Sequence, residues 1–111
     1  LHGDLHHQNI LQGKGGQWIT IDPKGLIGER GYDIATWMMN PWGIPLQDNY
    51  VELGNRRLGI FSDMLGEDRD RLAKWAVFHA ALSLCWSLEA EQPEDSEGDI
   101  AFLQTMVKLL G

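Results

Sequence analysis

Between Asn9 and Asp22 the chain carries two short runs, Asn9-Ile10-Leu11-Gln12 and Gln17-Trp18-Ile19-Thr20-Ile21, joined across Gly13-Lys14-Gly15-Gly16. No other stretch restricts the backbone as tightly. Apolar and β-branched runs on either side of a short glycine-rich connector predict a β-hairpin, and glycine supplies the positive φ that tight turns need. Closing the hairpin returns the end of the second run to the start of the first, so Asp22 folds back beside Asn9. An amide oxygen and a carboxylate then meet, and hard oxygen donors of this kind suit Mg²⁺. Upstream, His2-Gly3-Asp4-Leu5-His6-His7 adds another carboxylate, Asp4, five residues before Asn9.

The order His-x-Asp-Leu-x-x-x-Asn resembles the catalytic loop of phosphotransfer kinases. There an Asp orients the acceptor hydroxyl and takes its proton, and an Asn holds a metal ion. The resemblance narrows further. His2-Gly3-Asp4-Leu5-His6-His7-x-Asn9, Ile21-Asp22-Pro23-Lys24-Gly25 and Gly31-Tyr32-Asp33-Ile34-Ala35 are similar to the aminoglycoside/hydroxyurea phosphotransferases, the streptomycin 6-kinase-like group. Protein kinases carry Asp-Phe-Gly where this chain has Asp22-Pro23-Lys24, and related small-molecule kinases commonly follow that Asp with an aromatic residue. These motifs span about the first third of the chain; the remainder is similar only in being helical.

The resemblance implies an α+β, protein-kinase-like fold: a mostly helical carboxy-terminal lobe with a small β-hairpin beside the catalytic loop. It implies ATP and Mg²⁺ as cofactors and transfer of the γ-phosphate to a hydroxyl of a small, cationic, aminoglycoside-like acceptor. Asp4 is the catalytic residue, and Asn9 and Asp22 are the metal ligands. His6 and Lys24 are candidates for contact with the nucleotide phosphates. For His6 the alternative is a structural hydrogen bond, and for Lys24 a plain surface lysine. His2 and Asp33 have supporting roles, His2 bracing the metal-binding loop and Asp33 accepting backbone N–H bonds from the catalytic loop. Kinases hold ATP between two lobes, and the amino-terminal lobe brings the phosphate-covering loop and the Lys–Glu pair. Nothing of the kind precedes Leu1, and the first residue is not Met. Residues 1–111 are therefore expected to be one carboxy-terminal lobe without its amino-terminal partner, inactive alone and prone to self-association.

Composition excludes other classes. A chain of 111 residues supports one core, and a 43% hydrophobic fraction with five Trp argues against disorder. The net charge of −7 disfavours nucleic acid and suits a cationic substrate, with Asp48, Glu52, Glu89 and Glu91 as candidate acceptor carboxylates. The single Cys85, among apolar residues, has no internal partner and points to a reducing, cytoplasmic location. No uninterrupted apolar span of membrane length or signal peptide is present.

Past Arg30 the pattern is helical. Tyr32 to Met39 reads as a short helix stopped by Asn40-Pro41, with Ile34, Trp37 and Met38 facing inward. Pro41-Trp42-Gly43-Ile44-Pro45 reads as a rigid loop. Asn49 and Glu52 form a possible capping box for a helix reaching Leu65, with Gly54 and Gly59 as weak points. From Asp68 to Glu91, Leu72, Trp75, His79, Leu82 and Trp86 recur at steps of three and four. Ala76, Phe78, Cys85 and Leu88 widen that stripe, and His79 reads as a core histidine. Pro93 and the acidic residues after it read as a solvated break. A last helix, capped by Ser96, would then bury Ile100, Leu103, Val107 and Leu110.

Two other functions fit the same residues. His2, Asp4, His6 and His7 could gather a transition metal for hydrolysis, since imidazole suits Zn²⁺; that would leave Asn9 and Asp22 without a role. Alternatively the chain is a binding lobe that keeps the loop without turnover. A kinase acting on another small alcohol stays within the favoured class.

Overall fold

The computed structural model describes residues 1–39, 49–90 and 93–111, and the side chains of all these except 93–95. The predicted hairpin is present. β1 (Ile10–Gln12) pairs antiparallel with β2 (Trp18–Thr20), matching Ile10 with Thr20, Leu11 with Ile19 and Gln12 with Trp18. Gly13 N–H donates to Gln17 C=O at 2.7 Å to close the turn, which passes through Gly15 and Gly16 at φ 86° and 83°. Four helices follow: α1 (Gly31–Met38), α2 (Tyr50–Leu65), α3 (Arg69–Glu89) and α4 (Pro93–Lys108). A mostly helical chain with one small antiparallel sheet is α+β.

Helix α3 is the axis of the domain, with α1, α2 and α4 packed against it. Asp68 caps it, accepting Arg71 N–H at 2.8 Å, as short polar side chains do at helix starts. The core joins Ile34, Met38 and Met39 after α1, Tyr50 and Leu58 of α2, Leu72, Ala73, Ala76 and Ala80 of α3, and Met106 and Leu109. The alanines let neighbouring helices come close to α3. Gly54 does the same for α2, since a Cβ there would stand 3.1 Å from Leu109 methyls. Helix α2 therefore runs unbroken through both its glycines, and ends at Gly66 in the left-handed region (φ 67°). Asn49 precedes it without a side-chain capping bond, so the expected capping box is not formed.

Three further expectations are corrected. Pro93 and the acidic residues do not form a break: they open α4, and Ser96 lies inside its first turn. Proline at a first helical position loses no intrahelical bond, and acidic side chains there suit the positive end of the helix dipole. The inward face of α4 is also rotated from the apolar one expected. Ile100, Val107 and Leu110 are exposed, whereas Asp99, Thr105, Met106 and Leu109 are buried. Asp99 is 1% exposed and accepts hydroxyl bonds from Ser83 at 3.1 Å and from Ser87, both on α3. On α3 itself, Phe78, Cys85, Trp86 and Leu88 point outward, because its deep face follows the small residues Ala73, Ala76 and Ala80. The loop expected at Pro41–Pro45, and the carboxylates Asp48 and Glu91, lie outside the described residues. No described helix is long and apolar enough to cross a membrane.

Candidate active site

The loop from Leu1 to Asn9 is held by bonds that nearly all involve its own backbone. Asp33, in the first turn of α1, accepts His2 N–H through Oδ2 and Gly3 N–H through Oδ1, each at 2.9 Å. His2 donates from Nε2 to Ile21 C=O at 2.6 Å and accepts Asp4 N–H at Nδ1, 3.1 Å away. These two bonds fix its tautomer, and they tie the loop to the end of β2. The segment before α1 runs beside the loop, with Lys24 N–H on His2 C=O at 2.6 Å and Leu26 N–H on Leu1 C=O at 3.2 Å. Gly3 permits that approach. Its φ is 85°, and a Cβ would stand 2.9 Å from Lys24 Cβ and Leu26 Cδ1.

Asn9 is buried at the end of a short 3₁₀ turn, His7–Asn9. Its amide NH₂ donates to Asp4 C=O at 2.9 Å and lies 3.2 Å from His6 Nε2. This orients the amide so that Oδ1 remains as its acceptor end. The hairpin brings the Asp22 side beside it: Ile21 N–H donates to Asn9 C=O at 2.9 Å. Asp22 sits at φ 55°, the one positive-φ residue other than glycine among those described. Aspartate tolerates this region better than most side chains, and such outliers gather at working sites. An amide oxygen and a carboxylate on two anchored backbones are hard donors that fit a Mg²⁺ ion.

Asp4 is partly exposed, with Oδ2 3.6 Å from His6 Nε2. The same Nε2 lies 3.2 Å from the Asn9 amide, so the His6 ring is engaged with both Asp4 and Asn9. From Asp4 a cleft of about 410 Å³ opens toward α3, lined by Lys24, Leu26, Tyr32, Thr36, His79 and Trp86 besides Gly3 and Asp4. His79 forms part of its floor. It is buried, hydrogen-bonds Thr36 Oγ1 at 3.1 Å, and lies within 5.3 Å of the Tyr32 ring. Burial holds its imidazole below the usual histidine range, with Asp4 pulling weakly the other way. Of the acceptor carboxylates expected from sequence, Glu52 and Glu89 are described, and neither lines this cleft. Tyr32, His79 and Trp86 bring aromatic rings to it from α1 and α3 instead. Sequence periodicity assigned Trp86 and His79 to the α3 core, and that same stripe was the available signal that they share one face.

The histidines do not collect a metal. Both ring nitrogens of His2 are engaged, and the His7 ring stacks on Trp37 with centroids 4.6 Å apart. Among the described residues no three His, Cys, Asp or Glu side chains are grouped to hold an ion. The zinc-hydrolase alternative therefore has no ligand set here.

Known proteins give the same grouping as the motifs. Residues 1–91 match the family model described as aminoglycoside/hydroxyurea antibiotic resistance kinase. A streptomycin 3''-kinase of Klebsiella pneumoniae is 40% identical over 90 residues, covering 78% of this chain and 34% of that protein. A streptomycin 6-kinase of Streptomyces glaucescens is 33% identical, covering 80% and 29%. A hydroxyurea phosphotransferase of Kitasatospora aureofaciens is 27% identical over the whole chain and 31% of its own length. The chain thus spans about a third of these relatives. No solved structure gives a significant match. With the family model covering most of its length, the chain belongs to the aminoglycoside/hydroxyurea antibiotic resistance kinases.

Proposed function

We propose that this chain is the catalytic-loop lobe of a two-lobed, kinase-like phosphotransferase that moves the γ-phosphate of ATP to a hydroxyl of a small molecule, an aminoglycoside of the streptomycin type. The observation that carries the reading is the anchored loop. Bonds from Asp33, His2 and Asn9 fix the backbone around Asp4, which lines a cleft, and the hairpin bonds Ile21, the residue before Asp22, to Asn9. The family membership and the names of the relatives support the acceptor class.

In this mechanism the acceptor hydroxyl lies against the Asp4 carboxylate, which orients its oxygen toward the γ-phosphorus and takes its proton. Phosphoryl transfer has a loose transition state, so positioning and electrostatics supply most of the rate. Asn9 Oδ1 and Asp22 would hold Mg²⁺, which would supply neutralising charge to the phosphates. Lys24, which lines the cleft, would meet the phosphates as a cation. His6, 3.6 Å from the Asp4 carboxylate, is the second side chain proposed to contact them. A reducing, ATP-supplied cytoplasm suits the reaction and the lone Cys85.

The test offers the two-lobed protein streptomycin, other aminoglycosides, hydroxyurea and neutral polyols with ATP·Mg²⁺, following ADP release. Aminoglycoside-dependent ADP release is expected. Turnover of a neutral polyol with none on any aminoglycoside refutes the acceptor class, and no hydroxyl-dependent turnover at all refutes the kinase.

A further inference from the structure

Trp86 sits at an unusual place for a large aromatic. It belongs to the apolar stripe of α3, yet it is 50% exposed and lines the cleft that also holds Asp4. Its ring meets His79 edge to face, 6.2 Å between centroids and 90° between planes. His79 is held in turn by Thr36 on α1. The indole is thus braced from one side and open on another.

The charges around this indole are unevenly distributed. Asp4 is the one carboxylate among the described residues lining the cleft, and Lys24 is its one ammonium or guanidinium group. Lys24 is tied through its backbone to the catalytic loop, not to α3. The α3 wall is aromatic, and burial favours a neutral His79 there, so this wall puts no fixed positive charge against an incoming cation. Cations are drawn to the face of an indole more strongly than to any other side-chain ring.

We propose that Trp86 is the acceptor-specificity residue of this site, its indole receiving a guanidinium or ammonium group of the acceptor whose hydroxyl lies at Asp4. The inference rests on the phosphotransferase reading and adds a recognition element for the cation, where Glu52 and Glu89 do not line the cleft. A flat guanidinium matches the indole in shape as well as charge.

The experiment uses the two-lobed protein with streptomycin and hydroxyurea as acceptors, comparing Trp86→Leu, which keeps apolar bulk without a ring, and Trp86→Phe, which keeps a ring face. Thermal unfolding and the KM for ATP·Mg²⁺ check that each variant is intact. If Trp86 acts as proposed, Trp86→Leu raises the KM for streptomycin about 5- to 30-fold, Trp86→Phe raises it far less, and both leave the KM for ATP unchanged. Hydroxyurea, which carries no cation, shifts by less than the streptomycin value in either variant. A streptomycin KM within twofold of the unsubstituted protein in Trp86→Leu overturns the proposal, as does an equal loss for both acceptors. In each of those results the unsubstituted protein still phosphorylates streptomycin, so the phosphotransferase reading survives; an unsubstituted protein without hydroxyl-dependent turnover removes both.

Discussion

Asp33→Asn tests the anchor on which the candidate site depends. One carboxylate receives two main-chain N–H groups at 2.9 Å, from His2 and Gly3. Asparagine keeps a single acceptor oxygen and turns an NH₂ toward the other donor. One charge-assisted bond, worth about 1.5–3 kcal/mol, is lost outright, and the second becomes a neutral bond of roughly 1 kcal/mol. The site is only partly buried, so water recovers some of this, and a net loss of about 2–3 kcal/mol is the expected size. The loss falls on the two residues immediately before Asp4. A displacement of the acid-base group by about 1 Å can cost on the order of 10²-fold in rate. In the two-lobed protein, kcat should therefore fall about 10- to 100-fold, with a smaller change in the KM for ATP. Urea unfolding should show the lower midpoint, with an unchanged slope as the sign of a simple stability loss. A variant within 0.5 kcal/mol of the parent in stability (roughly the noise of a surface substitution) and within about threefold in kcat would refute the anchoring argument.

Three other outcomes follow from the same geometry. Asp4→Asn should lower kcat by about 10²–10⁴ with ATP affinity nearly unchanged, whereas Asp22→Asn should chiefly raise the Mg²⁺ concentration needed for half-maximal rate; a titration of Mg²⁺ in both variants separates them, and the reverse pattern would exchange their roles. Gly31→Ala puts a Cβ 2.2 Å from Trp75 Cδ1 and should cost about 1–3 kcal/mol. Gly59→Ala meets open space within α2 and should gain up to about 1 kcal/mol, so denaturant midpoints that move in the same direction would contradict the packing described. Burial depresses the His79 pKa in the folded chain, so its contribution to stability is complete above about pH 6.5 and is lost as pH falls through the folded value. The slope reaches at most about 1.4 kcal/mol per pH unit; His79→Asn should flatten it below about pH 6.5, leaving the share of His7, which burial shifts the same way, and an unaltered slope would show that His79 does not carry it.

What could be read from the sequence and what could not divide along one physical line. The hairpin and the hydrogen-bonded loop before it were legible because both are local. Glycines at a turn and an Asp five residues from an Asn fix their geometry within a few residues, and β1, β2 and the Ile21–Asn9 bond follow. Helix existence was legible for the same reason, as Leu72, Ala76 and His79 repeat with the helical period and are buried. Facing was not, because a helix with apolar residues on several sides is oriented by its neighbours. Helix α4 turned Asp99 inward, since Ser83 and Ser87 on α3 offer hydroxyl donors to its buried carboxyl oxygens. An apolar count cannot register that partnership. The α3 stripe failed in the complementary way. Its small residues entered the core and its large Trp86 was left at the edge of the Asp4 cleft. A Trp too large for the tight side of a helix crossing stays half open to solvent, and there it can meet a ligand. Residues such as Trp86, which shares a cleft with residues of α1 and of the loop before β1, therefore need the folded chain before a function can be argued for them.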